Sequence, residues 1–324
     1  MFQSIKAWLM ILTIIMFSVT IITNSMFNTA AAQGQQYSFV AKWGSEGVSF
    51  GKFGQPLDIA IDIDNNVYVT DTTRASNQIQ KFATNGTFIT SWGTPGSGDG
   101  RFIRATGIGT DSSDNVYVTD GGSPETAVQK FTSDGTFIMS WGSTGLGDGQ
   151  FIRPSGIAVD SSDNVYVGDF GENNRIQKFG SNGNFLGKWG TTGSGDGQFI
   201  NPAVGIAADS SDNIYVPDWG NNRIQKFDSN GNFITKWGTL GSGDGQFIRP
   251  AGLAVDASGN VFVVDEGNNR IQKFDSNGNF ITKWGTTGSG DGQFEEPTSI
   301  ALDSSGNAYV VDRGNSRIQV FAPS

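Results

Sequence analysis

Residues 246–285 read QFIRPAGLAVDASGNVFVVDEGNNRIQKFDSNGNFITKWG, and this stretch recurs along the chain with small changes. Its phenylalanine Phe247 has equivalents at Phe53, Phe102, Phe151, Phe199 and Phe294, the six being spaced by 49, 49, 48, 48 and 47 residues. Near-equal periods of this length mark an architecture in which each unit stacks on its neighbours. Each unit holds four short strand candidates; in the fourth they are Gly205 to Asp209, Asn213 to Asp218, Ile224 to Phe227 and Phe233 to Gly238. Four antiparallel strands per unit make one propeller blade. The first two strands carry apolar residues in succession, as in Ile206-Ala207-Ala208 and Ile214-Tyr215-Val216. Strands covered on both faces by neighbouring sheets read this way, whereas half-exposed strands alternate.

The turns agree. The first two strands of each blade are joined by segments such as Asp160-Ser161-Ser162-Asp163-Asn164 and Asp256-Ala257-Ser258-Gly259-Asn260. In these the first Asp can bond the turn backbone and the fourth residue can take a positive φ. The third and fourth strands are joined by Asn-Gly or Asp-Gly at Gly86, Gly135, Gly183, Gly231 and Gly278, five times rather than six, and this dipeptide is the strongest short hairpin signal. The last unit stops after Ile318-Gln319-Val320-Phe321, while Phe39-Val40-Ala41-Lys42-Trp43-Gly44 is a fourth strand with no blade before it. The expectation is an all-β, six-bladed β-propeller of four-stranded antiparallel blades over residues 37–324, closed by the N-terminal strand completing the last blade.

The pattern Gln246 to Asp256 followed by Gly259 to Phe274 resembles the NHL repeat, and the resemblance extends from Tyr37 to Phe321. It is specific in blades three to six. Blades one and two are looser: Asn-Arg becomes Asn77-Gln78 and Thr126-Ala127, and Ala105 stands where the other blades have Pro. The resemblance implies a six-bladed propeller that serves as an interaction platform. It also raises lyases of the peptide-amidating and streptogramin type, which depend on His and bound metal, and metal-dependent lactonases, which hold calcium in the central channel. Ubiquitin-ligase substrate readers and RNA binders carry NHL domains too.

Composition narrows these classes. The 324 residues contain no His and no Cys, which removes imidazole bases, thiol nucleophiles, disulfides and zinc modules together. A net charge of −10 opposes general attraction to nucleic acid or anionic lipid. Lys6 precedes an uncharged run from Ala7 to Ile22, and Ala30-Ala31-Ala32 follow. Residues 1–32 read as a signal peptide with a small-residue cleavage site, and 33–36 as a short linker. An uncleaved anchor is the alternative and the only membrane attachment expected; either places the propeller at the cell surface or outside the cell.

Several repeated residues look functional. Asp71, Asp120, Asp169, Asp218, Asp265 and Asp312 end the second strand of each blade, and in four blades Arg175, Arg223, Arg270 or Arg317 follows. Six copies pointing six ways cannot form one centre, so a loop-capping ion pair is expected. Trp43, Trp92, Trp141, Trp189, Trp237 and Trp284 are expected between blades for the same reason, rather than as stacking platforms. Loops such as Gly193-Ser194-Gly195-Asp196-Gly197 hint at calcium, but each offers one carboxylate where calcium takes about 6–8 oxygens, so no cofactor is expected. At the place where the innermost strand meets the rim, Asp58 faces equivalents Gly107, Gly156, Gly205, Gly252 and Ser299.

Discrimination belongs where the copies differ. The residue after each strand-two Asp reads Thr72, Gly121, Phe170, Trp219, Glu266 and Arg313, and the loop between blades reads Gln55, Arg104, Arg153, Asn201, Arg249 and Glu296. Both lie on one rim. The expected partner-binding set is Arg104, Arg153, Phe170, Trp219, Arg249, Glu266 and Arg313, combining aromatic anchors with Arg as binding hot spots do. The function expected is a noncatalytic scaffold holding a protein, peptide or glycan, with an enzyme of lyase or lactonase type as the alternative.

Overall fold

The structure is a computed structural model that describes residues 36–73, 77–125, 127–202 and 205–324. The expected leader 1–32 and linker residues 33–35 lie outside the described residues. From Tyr37 onward the chain forms six antiparallel sheets of four strands arranged in a ring. Blade one runs Pro56–Ile61, Val67–Thr72, Asn77–Phe82, Phe88–Trp92 from the axis outward, and the other blades repeat this order. Among the described residues no helix is long and apolar enough to cross a membrane.

The hydrophobic core is not one body but six seams, each shared by two adjacent sheets. Phe53, Val67, Val69 and Phe82 of blade one meet Tyr309, Val311 and Ile318 of blade six, and five equivalent clusters follow around the ring. Burial on both faces accounts for the unbroken apolar runs. Each opening phenylalanine is buried, with 0–2% exposure, and contributes about 1.5–3 kcal/mol by its burial. Trp237 of blade four lies 6.2 Å from Tyr215 of its own blade and 5.9 Å from Phe274 of the next. The same triad of Trp, Tyr or Phe, and Phe occurs at every seam.

The turn expectations match the backbone. Asn65, Asp114, Asp163, Asp212, Gly259 and Gly306 have φ between 59° and 82° in the first turn of their blades. In the second, Gly86 has φ 82°, and a Cβ there would lie 2.7 Å from the Trp43 ring of the preceding blade. The hairpin glycine therefore serves both the turn and the seam. The innermost strand of blade four is shorter than expected, at Ala207–Ala208, with an isolated bridge between Pro202 and Asp218. In the sequence, Asn201 to Asp209 is nine residues long where Arg153 to Asp160 is eight.

Tyr37–Trp43 pairs antiparallel with Arg317–Pro323, in the register Tyr37 to Pro323 and Trp43 to Ile318. The N-terminal strand thus completes the sixth sheet. Tyr37 also stacks on Trp284 at 4.7 Å and donates its hydroxyl to the Gly306 carbonyl at 3.2 Å. Removing residues 37–43 would expose the edge of Arg317–Pro323 and half of one seam. Such a variant is expected to melt at a markedly lower temperature and to self-associate through the bare edge, as read by calorimetry and size-exclusion chromatography; an unchanged monomeric melt would contradict the closure.

Candidate functional site

The repeated Asp ending strand two fastens the loop that arrives from the previous blade. Asp71 accepts from the Gly54 and Gln55 amides at 2.9 and 2.8 Å, and Asp120 from Ile103 and Arg104 at 3.1 and 2.7 Å. Asp169, Asp218, Asp265 and Asp312 bind the equivalent amides of Ile152, Ile200, Ile248 and Glu295. Arg223 reaches Asp218 at 2.8 Å, Arg270 reaches Asp265 at 2.7 Å and Arg317 reaches Asp312 at 2.6 Å, all buried. These pairs hold loops.

The same guanidinium groups occupy the glycine-rich loops. Arg223 donates to the carbonyls of Ser194, Gly195 and Gln198 at 2.7–2.9 Å, so the loop oxygens are turned inward onto Arg. The loop carboxylates turn outward onto Lys: Asp148 to Lys188, Asp196 to Lys236, Asp244 to Lys283 and Asp291 to Lys42. A calcium ion would have to displace both sets. Among the described residues no group of three or more acidic, His or Cys side chains is placed to hold a metal.

Asp58 lies deeper than its sequence position suggests, at 3% exposure. It accepts from the Ile59 amide and the Ser299 hydroxyl, and from the Ile108 amide at 2.9 Å, so one carboxylate ties blades one, two and six. Neighbouring first strands approach so closely that a Cβ on Gly107 would lie 2.2 Å from the Ser155 carbonyl and one on Gly252 2.6 Å from the Ser299 Cα. Glycine at these positions is what lets the inner strands close around the axis.

Above this layer the rim opens into a cavity of about 540 Å³. Its floor is Leu57, Thr106, Ser155, Ala251 and Thr298, and its walls include Arg104, Arg153, Phe170, Trp219, Glu266 and Arg313. Six of the seven residues expected at the rim therefore line one space. Arg249 is the exception: it leaves the backbone at φ 55° and lies over the Trp219 ring at 5.6 Å. Trp219 donates its indole N–H to Glu266 at 3.1 Å, and Arg313 is paired with Glu296 at 2.5 Å. Thr72 borders a second depression of about 630 Å³ between blades one and two, which Arg104 and Gly121 also line.

The floor residues were not singled out from the sequence. They occupy the x of the Pro-x-Gly motif, a position that varies from blade to blade as the rim loops do, and that variation was the available signal. Also unmarked was the strand-three glutamine. Gln225 accepts from the Gly197 amide at 2.9 Å and donates to the Gln198 carbonyl at 2.7 Å, and all six copies are buried. It brackets the glycine-rich loop.

Burial pushes the Asp58 carboxyl up to about 7 from an ordinary 3.8, against the lowering effect of its hydrogen bonds. Between roughly pH 4 and pH 7 the folded chain then holds a proton that the unfolded chain has released, so stability falls as pH rises through that window. Asp58→Asn is expected to flatten this part of the stability profile, measured as urea midpoints from pH 4 to 8; an unaltered slope would contradict the assignment.

The NHL repeat matches this chain at residues 151–179, 203–227, 247–274 and 294–321. No curated protein sequence matches it. Among solved structures it is similar to a Bacteroides thetaiotaomicron protein of unknown function, with TM-score 0.67 and 18% identity over 90% of this chain and 76% of that one. It is similar to a catalytically inactive virginiamycin B lyase from Staphylococcus aureus with quinupristin, with TM-score 0.58 and 15% identity over 89% of this chain and 99% of that one. It is also similar to an auxiliary nutrient binding protein from Bacteroides ovatus, with TM-score 0.64 and 14% identity over 89% of this chain and 78% of that one. At such identities the likeness concerns the fold. Four matched repeats and a ring of six four-stranded sheets make this chain an NHL-repeat six-bladed β-propeller.

Proposed function

We propose that this protein is a noncatalytic binding propeller, exported from the cytoplasm, that holds a protein, peptide or glycan in its rim cavity. One observation carries the reading: Phe170 and Trp219, on adjacent blades, open into the same cavity as Arg104 and Arg153. Aromatic side chains beside Arg in a concave site are the composition of binding hot spots. Export rests on the uncharged run after Lys6 and the alanines at 30–32.

A lyase reading is favoured by the similarity in fold to virginiamycin B lyase. Against it stands a sequence without His, so the imidazole chemistry implied for such lyases has no residue to carry it. A lactonase cage would need several carboxylates around the axis, where Asp58 stands with glycines and Ser299. RNA binding would need a basic face on a chain of charge −10, and a ligase would need zinc modules built from Cys or His.

Screening the mature protein against peptide and glycan arrays, with Trp219→Ala and Phe170→Ala alongside, tests the reading. Each substitution is expected to weaken the selected ligand by about 2 kcal/mol or more with little change in melting temperature. Trp237→Ala, at a seam, is expected to lower stability instead. Binding untouched by both rim substitutions would contradict the site, and stoichiometric calcium in the purified protein would favour the lactonase.

A further inference from the structure

We infer that the part of the ligand entering the rim cavity is an oxyanion, a carboxylate or phosphate, attached to a flat apolar body; this deepens the binding reading above and rests on it. The charges around the cavity are unequal in their commitments. Glu266 takes the Trp219 N–H, Arg313 is paired with Glu296, and Arg249 lies on the Trp219 ring. Elsewhere Arg175, Arg223, Arg270 and Arg317 are spent on buried Asp and loop carbonyls. Arg104 and Arg153 differ: among the described residues their guanidinium groups have no ion pair, hydrogen bond or ring contact. They stand at equivalent positions of adjacent blades, and both are exposed and line the cavity.

Two uncommitted guanidinium groups lining one cavity from adjacent blades offer donors for the oxygens of a carboxylate or phosphate, which Arg binds through paired, charge-assisted hydrogen bonds. The rest of the cavity selects the body. Its floor hydroxyls have already donated their protons: Thr298 to the Leu57 carbonyl at 2.7 Å, Thr106 within 3.2 Å of the Thr119 and Pro154 carbonyls, and Ser155 to Gly168 and Pro202 at 3.3–3.4 Å. Leu57, Pro154 and Ala251 complete the floor with apolar surface. A body dense in hydroxyls would find few donors there and lose hydrogen bonds to water. A flat apolar body instead gains the faces of Phe170 and Trp219, the latter already held in one orientation by Glu266 and Arg249. The volume suits a small molecule or the end group of a larger one.

Calorimetric titration with naphthoate, its uncharged amide and naphthyl phosphate tests the assignment. At least one of the two anions is expected to bind about tenfold or more tightly than the amide, and the tighter of the two tells carboxylate from phosphate. In the double variant Arg104→Gln, Arg153→Gln that preference is expected to vanish while the amide is unaffected. Trp219→Ala is expected to weaken all three probes together. Melting curves confirm that the variants fold, both arginines being exposed and unpaired. Amide binding as tight as the tighter of the two anions, or a preference that survives loss of both arginines, overturns the inference. A protein that ignores all three probes yet binds an array ligand through Trp219 overturns it too and leaves the binding reading standing; one that binds neither defeats both.

Discussion

Each sheet of this protein is apolar on both faces, and the only way to bury twelve such faces without an outer layer is to close the sheets into a ring. The seam between neighbours is therefore the constraint on which the rest depends. A Trp on the outer strand of one blade packs between the aromatic of its own second strand and a Phe of the next blade's third strand, and the hairpin glycine of that next blade lies against its ring. Because the seams share this packing, every blade repeats the Trp and Phe signals and five repeat Asn-Gly or Asp-Gly; against Trp284, at the seam of blades five and six, Tyr37 stacks instead. The last seams close only if the chain's own first strand joins its last sheet.

Repetition also separates the residues that every blade shares from those that line the rim cavity. The Asp that ends strand two, the Arg that follows it and the buried Gln of strand three all bind backbone groups of loops that would otherwise be unpaired in or near the interior. A buried ion pair of this kind is worth less as net stability than as a fixed geometry; the Asp, paired with Arg in blades three to six and without Arg in blade two, fastens the end of each inter-blade loop, and so fixes where Arg104, Arg153 and Arg249 begin. The rim inherits a precise frame from residues that do not line its cavity.

Much of this was legible in the sequence because period, turn chemistry and the orphan strands at the two ends are local signals. The rim set was legible for the converse reason, that Phe170, Trp219, Glu266 and Arg313 break a pattern their neighbours keep. What escaped depends on three-dimensional approach. The depth of Asp58 goes with partners on other blades, the Ile108 amide of blade two and the Ser299 hydroxyl of blade six. The diversion of Arg249 onto Trp219 accompanies a left-handed backbone that Arg104 and Arg153 do not share. Among the described residues the cavity floor is assembled from one residue of each of five blades, each unremarked in its own repeat.

Joining of the chain ends in a single sheet is the claim that supports all the others, and the absence of Cys makes it directly measurable. Ser38 faces Ala322 in the register of the closing strands, a separation of about 4.5–5.5 Å between Cα atoms that a disulfide can span. The variant Ser38→Cys, Ala322→Cys should oxidise to an intrachain disulfide in the monomer, seen as a shifted band on non-reducing gels and a crosslinked terminal peptide by mass spectrometry. Two free thiols under oxidising conditions, or disulfides formed only between chains, would contradict the closed ring.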